Sequence, residues 1–192
     1  MSVVAVIKDG DNVYIGCDSQ ASRCEHKFIL TNKNNYKIFR PIKEKDVIIG
    51  VYGDLRNRDI LFCIDEYIDE LTKIENKVDC RYMIKNVIPK IFKTLENEHK
   101  ITNTKNDSII IFNYKNQIYY INDDGSILEI DDYFAIGSGA KFSIGYLSEC
   151  DKINPKEALI KSIRSACKND LDVNYPIIIM NNQNDNIEII EK

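Results

Sequence analysis

Residues 1–22 read MSVVAVIKDGDNVYIGCDSQAS, and this stretch decides the fold. Two apolar runs of strand length, residues 3–7 and 13–17, flank Asp-Gly-Asp-Asn, which is typical of a tight turn. The pattern predicts an antiparallel hairpin at the beginning of the sequence. Asp18 follows the second strand directly, so the hairpin should bring it back toward Ser2.

Three further apolar segments in the first third of the chain have strand character. Residues 28–30 and 36–39 are joined by Asn- and Lys-rich turn residues, and we expect them to pair with each other. Residues 46–52, DVIIGVY, form an almost continuous apolar run, which is typical of a strand that is buried on both faces.

The spacing of apolar residues then changes to that of amphipathic helices. One helix is predicted over residues 60–74 and a second over residues 84–95, where Pro89 should kink it. A polar loop is predicted over residues 100–106.

The second half of the chain repeats this order of strands followed by helices. Strands are predicted at 108–113, 117–121 and 127–130. Residues 133–137 lead into a helix from about residue 140, a further helix is predicted over 155–167, and final strands at 175–180 and 187–190. No linker or internal repeat separates these segments, so we expect a single domain over residues 1–192. Two antiparallel sheets packed face to face between two pairs of helices would bury every apolar face, which predicts an α+β fold with four αββα layers.

Composition argues against several classes of function. The chain has 26 basic and 30 acidic residues and a net charge of −4, so it lacks the positive excess that nucleic acids or anionic membranes attract. Its six cysteines form no Cys-x-x-Cys pair and its two histidines are isolated, so we expect no metal and no cofactor. No apolar run approaches the roughly 18–20 residues of a membrane span, and no secretory signal is recognisable, which favours a cytoplasmic protein.

Four segments occur in the order and near the spacing of one known family: IGCDSQAS (15–22), YKIFR (36–40), DVIIGVYGD (46–54) and AIGSGAKFSIGYL (135–147). Together they resemble the proteasome beta subunit and its bacterial relative, the peptidase of the two-component ATP-dependent protease. These are N-terminal nucleophile (Ntn) hydrolases with the αββα fold. Among them the sequence is most similar to small stand-alone bacterial and phage proteasome-like proteins.

The resemblance implies a catalytic role for the first residues of the chain. Ser2 corresponds to the nucleophile, which is threonine in most of the family, and its own α-amino group would act as the base after removal of Met1. Asp18, sixteen positions beyond Ser2, would orient a lysine and help to hold the amine. That lysine corresponds to Lys37, with Lys33 as a competitor. We expect Ser2 and Lys37 to lie at a cleft that solvent reaches.

The resemblance also implies supporting residues. Gly50 corresponds to the donor of a backbone N–H to the oxyanion, and Tyr52 to a residue lining the primary specificity pocket. Ser138 would hydrogen-bond the terminal amine. Asp170, with Asp172 as a rival, corresponds to a second supporting acid. Here the chain departs from the family, because Val-Asn stands at 173–174 where the family has a serine followed by glycine.

These correspondences imply hydrolysis of peptide or amide bonds through an acyl-enzyme on Ser2, with a peptide or unfolded protein as substrate. The family also implies a homo-oligomeric ring and a possible ATPase unfoldase partner, and it gives no reason to expect nucleic acid or membrane as a partner. Two alternatives stay open: an inert scaffold of the same fold, and hydrolysis of a small-molecule amide. Cys17, beside Asp18, is expected to be a small buried residue and not a nucleophile.

Overall fold

The computed structural model of the chain describes residues 2–23, 25–41, 46–69, 71, 78–102, 107–150 and 154–192. Met1 lies outside this set. The described residues form twelve strands: β1 (Val4–Asp9), β2 (Asn12–Cys17), β3 (Gln20–Arg23), β4 (His26–Ile29), β5 (Ile38–Phe39), β6 (Val47–Tyr52), β7 (Ile109–Tyr114), β8 (Gln117–Ile121), β9 (Ile127–Ile130), β10 (Tyr133–Ile136), β11 (Ile177–Asn181) and β12 (Asn184–Ile190). They also form five α-helices: α1 (Leu55–Cys63), α2 (Cys80–Tyr82), α3 (Ile88–Thr102), α4 (Ala140–Glu149) and α5 (Pro155–Asn169).

Ten of the strands form two five-stranded antiparallel sheets. The first sheet has the order β10-β1-β2-β11-β12 and the second has the order β5-β6-β7-β8-β9, while β3 and β4 form a separate hairpin. The predicted opening hairpin is present as β1 and β2, with Val4 opposite Cys17. Both its strands lie inside the first sheet, and the first four of the six residues of β1 are buried.

Three apolar clusters show how the layers pack. Val4 and Val6 of β1 face the cluster between the two sheets, together with Ile48 and Ile111 of the second sheet. Val3 and Ala5 point the other way, into the cluster formed with α4 and α5. This is the two-residue alternation of a strand that is buried on both faces.

The third cluster lies between the second sheet and the remaining helices, with Val47 and Phe112 from the sheet and Leu61 and Ile91 from α1 and α3. The layers therefore run helices, sheet, sheet, helices, which confirms the predicted αββα sandwich. Among the described residues, no helix is both long enough and apolar enough to cross a membrane.

The predicted pairing of residues 28–30 with 36–39 is wrong. In the structure β4 pairs with β3, and β5 pairs with β6, with Ile38 opposite Gly50. The difference follows burial: Tyr36 and Ile38 belong to the core between the sheets, whereas all of β4 is exposed. β5 therefore joins the edge of the second sheet, while β4 stays on the surface with β3.

The predicted helix over residues 60–74 is also interrupted. α1 begins earlier, where the Asp54 side chain accepts from the backbone N–H of Arg56, and it ends at Cys63. A 3-10 turn, Glu66–Ile68, follows it, and residue 74 lies outside the described part. Helical spacing predicted which residues are buried, but the extended backbone of Ile64 breaks the helix between them.

The second predicted helix begins at Cys80 and contains a π-helical turn, Met83–Val87, immediately before α3. The N–H of Ile88 bonds to the carbonyl of Met83, five residues back. Pro89 has no N–H and its ring collides with the carbonyl four residues earlier, so a wider turn accommodates it. α3 continues to Thr102, into the predicted polar loop, whose residues 103–106 are outside the described part.

Candidate active site

The centre of the site is the carboxylate of Asp18, which is completely buried at the end of β2. The β1–β2 ladder places it beside the start of β1, because the Asp18 N–H donates to the carbonyl of Val3 at 3.2 Å. The opening hairpin therefore brings Asp18 to Ser2, as its sequence indicates.

Five hydrogen bonds satisfy this carboxylate. Oδ1 accepts from Ser2 Oγ (3.2 Å), Val3 N (3.0 Å) and Lys37 Nζ (2.6 Å), and Oδ2 accepts from Gln20 N (3.0 Å) and Asn174 N (3.3 Å). A buried charge is stable only when it is paired and hydrogen-bonded, and here both conditions are met. One oxygen of Asp18 thus links the hydroxyl of Ser2 to the ammonium of Lys37.

Lys37 is the lysine that the structure brings to this position. It precedes the short strand β5, is only 3 % exposed, and also donates from Nζ to the carbonyl of Gln20 at 2.5 Å. The competitor Lys33 lies in an exposed 3-10 turn and lines a different cavity.

Ser138 and the glycines around it hold Ser2 from the other side. The backbone nitrogen of Ser2 donates to Ser138 Oγ at 3.1 Å, and the N–H of Gly139 donates to the carbonyl of Ser2 at 3.1 Å. Gly137 has φ +100°, and a side chain at this position would overlap the Ser2 carbonyl. The Gly-Ser-Gly turn between β10 and α4 is thus shaped around Ser2.

The structure places Gly50 differently from the expectation. Val51 N donates to the carbonyl of Lys37 at 2.9 Å, so the alternation of the ladder directs the N–H of Gly50 toward its partner Ile111 in β7. A Cβ atom at Gly50 would lie 2.6 Å from Cγ1 of Val4. Close packing between the sheets therefore explains this glycine, and its role as an oxyanion donor stays a prediction.

Asp170 and Asp172 lie near the site without touching Ser2. Asp170 ends α5 and accepts from the N–H of Asp172 at 2.9 Å, and Asp172 forms an ion pair with Lys27 at 3.3 Å. Among the hydrogen bonds of the described residues, none joins either carboxylate to Ser2 or Lys37. The loop supports the site through its backbone instead, at Asn174 N.

A cavity of about 950 Å³ opens beside Ser2 and Lys37. Both side chains line this cavity, but they are almost wholly buried, at 5 % and 3 % exposed. They were expected to lie at a cleft that solvent reaches; the cavity beside them is open, but the two side chains themselves are not exposed. The other lining residues are Gln20, Ala21, Ser22, Phe28, Val51, Gly53, Asp54, Leu55, Arg56, Arg58, Asp59, Ile60, Cys63, Ile64 and Glu98. Tyr52, the predicted pocket residue, is not among them and lies near Gly137.

Two arginines of this cavity, Arg56 and Arg58, are not among the site residues predicted from the sequence. The signal was present, because both fall in the first half of α1, whose first turn holds no acidic residue. Positive side chains near a helix N-terminus oppose the helix dipole, so they call for another explanation.

Cys17 is buried among apolar residues, as expected. Burial raises the pKa of its thiol to about 12, so the thiol stays protonated. The hydroxyl of Ser2, in contrast, donates to Asp18 Oδ1, and Ser2 lines the cavity. No group of three or more His, Cys, Asp or Glu side chains in the described ranges could hold a metal ion.

The fold consists of two packed antiparallel sheets between helix layers. At the start of the first strand, a serine is held by an aspartate and by a glycine-rich turn. Together these features define the class of the protein as a proteasome-like N-terminal nucleophile hydrolase. The chain belongs to the proteasome family: it matches the family described as "Proteasome subunit" over residues 2–179. No curated protein matches the chain.

Solved structures with the same fold cover nearly the whole chain. BPH from Thiobacillus denitrificans, in complex with epoxomicin, has a TM-score of 0.69 and 12 % identity, covering 99 % of this chain and 100 % of its own. HslV from Trypanosoma brucei has a TM-score of 0.69 and 19 % identity, covering 93 % and 98 %. Anbu from Yersinia bercovieri has a TM-score of 0.71 and 12 % identity, covering 99 % and 88 %. At these identities the likeness concerns the fold.

Proposed function

We propose that the protein hydrolyses peptide or amide bonds through an acyl-enzyme on Ser2, once Met1 has been removed. The observation that supports this most directly is the bridge formed by Asp18 Oδ1, which lies 3.2 Å from Ser2 Oγ and 2.6 Å from Lys37 Nζ. A buried ion pair beside a hydroxyl that borders a large cavity is an arrangement suited to nucleophilic catalysis.

In the proposed reaction, the free α-amine of Ser2 accepts the proton of the hydroxyl while Oγ attacks the scissile carbonyl. An α-amine has a reference pKa of about 7.7–8.0, so a fraction of it is neutral at cellular pH. The tetrahedral intermediate collapses to an ester on Oγ, and the protonated amine gives its proton to the departing nitrogen. Water, deprotonated by the same amine, then hydrolyses the ester and regenerates Ser2.

Three side chains would position these groups. The nitrogen of Ser2 lies 3.1 Å from Ser138 Oγ, a contact that a free amine can keep. Lys37 would stabilise negative charge on Oγ, and Asp18 would fix Lys37 and Ser2 relative to each other. Gly50 as oxyanion donor and Asp170 as a further acid are weaker parts of the proposal, for the geometric reasons given above.

The experiment begins with intact mass spectrometry of untagged protein, which should show the loss of Met1. That protein is then incubated with an epoxyketone, which needs a hydroxyl and a free amine on one residue, and with a library of fluorogenic peptides. The wild type should be labelled at Ser2 and should cleave peptides. Ser2→Ala should do neither, while Ser148→Ala, at an exposed position on α4, should behave as wild type.

An inert scaffold is the second candidate, and two observations favour it: the N–H of Gly50 points toward β7, and Val-Asn replaces the expected residues at 173–174. Retention of Met1, or a demethionylated protein that resists the epoxyketone and cleaves nothing, would favour the scaffold. For either candidate we propose a homo-oligomeric ring in the cytoplasm. For the enzyme we propose unfolded protein as a substrate and an ATPase unfoldase as a possible partner.

A further inference from the structure

The helix layer formed by α4 and α5 carries an open groove of about 350 Å³ on its surface. Its lining consists of Tyr146 from α4 and of Lys161, Arg164, Ser165 and Lys168 from α5. Three of these five residues are cations, and none is an acid. Among the described residues, the lining of this groove has no member in common with the cavity beside Ser2, so the two are separate sites.

The periodicity of α5 places the three cations on one face of the helix. Positions 161, 164, 165 and 168 follow the i, i+3, i+4, i+7 spacing that brings side chains to the same face. The opposite face packs into the core, where Leu159, Ile163 and Ala166 are buried. With a rise of 1.5 Å per residue, the cations form a row about 10.5 Å long, which we call the basic row.

Acidic side chains offset little of this positive charge. Lys161 lies 3.7 Å from Glu157, but the two side chains are 50 % and 42 % exposed, so the pair is weak. Within the described part of the chain, neither Arg164 nor Lys168 forms an ion pair. The helix dipole favours Lys168 in the last turn of α5, but it does not explain the other two cations. The basic row is thus a local excess in a chain whose net charge is −4.

Contacts inside the helix layer fix the shape of the groove. Ser143 Oγ on α4 donates to the carbonyl of Ser162 on α5 at 3.1 Å, and both residues are completely buried. Leu147 and Ile163 pack in the same apolar cluster, so the two helices are held together on both sides of this bond. A groove that is formed before binding avoids part of the entropy cost of ordering an interface.

We propose that this groove binds an acidic segment of a partner protein, with two or three carboxylates facing the basic row. Arginine and lysine both bind carboxylates, and arginine can do so through two parallel hydrogen bonds. In an extended segment, side chains on one face recur about every 7 Å, so two or three acidic residues match the length of the row. The half-buried Tyr146 supplies a ring and a hydroxyl at the side of the groove.

The lining of the groove favours such a segment over a compact phosphate group. Phosphate sites typically offer free backbone N–H groups at the start of a helix. Here Tyr146 lies inside α4, and the basic row extends into the last turn of α5, where the helix dipole opposes a concentrated negative charge. Carboxylates that are spread along the row place less charge at that end.

Fluorescence anisotropy tests the proposal with the labelled peptide Gly-Glu-Ser-Glu-Ser-Glu-Gly and a matched peptide in which Gln replaces each Glu. Every protein carries Ser2→Ala, so that the probe is not cleaved. The parent protein should bind the Glu peptide about tenfold or more tightly than the Gln peptide at about 50 mM NaCl. Raising the NaCl concentration to about 500 mM should weaken this binding, because salt screens exposed charges.

The decisive variant combines Arg164→Gln with Lys168→Gln. It should bind the Glu peptide about five- to thirtyfold more weakly, the loss expected for two exposed ion pairs. The matched control combines Lys85→Gln with Lys93→Gln, which removes the same charge at exposed positions outside the groove and should bind almost as well as the parent. Should the first variant fail to fold, the exposed single change Lys161→Gln should still weaken binding about two- to fivefold.

Equal binding of the Glu and Gln peptides would overturn the inference, and so would an equal loss in the control variant, which indicates a general effect of net charge. Sodium tripolyphosphate provides a further arm. If it displaces the probe where sulfate of the same ionic strength does not, the groove binds phosphate compounds and the proposed acidic segment is incorrect. Labelling of Ser2 by an epoxyketone is measured separately on wild-type protein, so the proposed function stands or fails independently of these results.

Discussion

Replacing Lys37 with methionine tests the buried ion pair on which the site depends. Methionine keeps most of the apolar stem, so the change removes the ammonium group and its two hydrogen bonds, to Asp18 Oδ1 and to the carbonyl of Gln20. The carboxylate of Asp18 then stays buried without its cation. Breaking a buried pair in this way costs about 3–5 kcal/mol. Because four backbone and hydroxyl donors still surround Asp18, we expect the lower end of that range, about 3 kcal/mol.

The matched control is Lys156→Met, which breaks a lysine–carboxylate pair of similar length at the surface. Lys156 lies 3.1 Å from Glu188, and the two side chains are 42 % and 46 % exposed. Exposed pairs contribute about 0–1 kcal/mol, so this variant should unfold almost like the wild type. Urea unfolding followed by far-ultraviolet circular dichroism, at one protein concentration, gives both free energies of unfolding.

A double-mutant cycle sharpens the result. In the Lys37→Met background, Asp18→Asn removes a charge that has already lost its cation, so it should cost less than it does in the wild type. If Lys37→Met lowers the free energy of unfolding no more than Lys156→Met does, and the cycle shows no coupling, the two groups are not a buried pair and the proposed site is incorrect.

Three further predictions follow from other parts of the structure. Gly137→Ala should lower stability by about 1–3 kcal/mol and slow epoxyketone labelling, because a methyl group at φ +100° meets the carbonyl of Ser2; an unchanged melting temperature would contradict this. Since burial raises the pKa of Cys17 to about 12, iodoacetamide at pH 8 should alkylate the exposed Cys63 in native protein and Cys17 only after unfolding, as peptide mapping would show. Light scattering of untagged protein should give a multiple of 22.2 kDa, and a mass of one chain would refute the proposed ring.

Much of the fold follows from short-range patterns in the sequence. The opening hairpin combines two apolar strands with a turn of Asp, Gly and Asn, so its pairing and the position of Asp18 could be predicted together. α5 was equally clear, because Asn154 caps it and Pro155 begins it. Errors arose where the pairing depends on distant residues. The partner of β5 is β6 and not β4, which is nearer in the sequence. This pairing places Ile38 of β5 in the core between the two sheets.

The residues of the candidate site also differ in whether short-range sequence patterns predict their positions. Ser2 and Asp18 meet through one hairpin, so their spacing in the sequence predicts their contact. Lys37 reaches them from another sheet, and only the resemblance to the family identified it in advance. Arg58 was missed because its place depends on how α1 packs against Phe39 and the backbone of Tyr36.

Gly50 shows a limit that no motif can overcome. A sequence motif identifies the residue, but whether its N–H is available depends on the register of the strand, since successive N–H groups point to opposite sides. In β6 the N–H of Val51 bonds to Lys37, so that of Gly50 turns to β7. A one-residue shift in the hydrogen-bonding pattern of β6 would exchange the directions of the Gly50 and Val51 N–H groups while leaving the sequence unchanged. In the observed register the glycine is needed, because Val4 of the facing sheet leaves no room for a side chain. Its presence in the motif is therefore evidence for the close packing of the two sheets, and only its hydrogen-bond direction bears on catalysis.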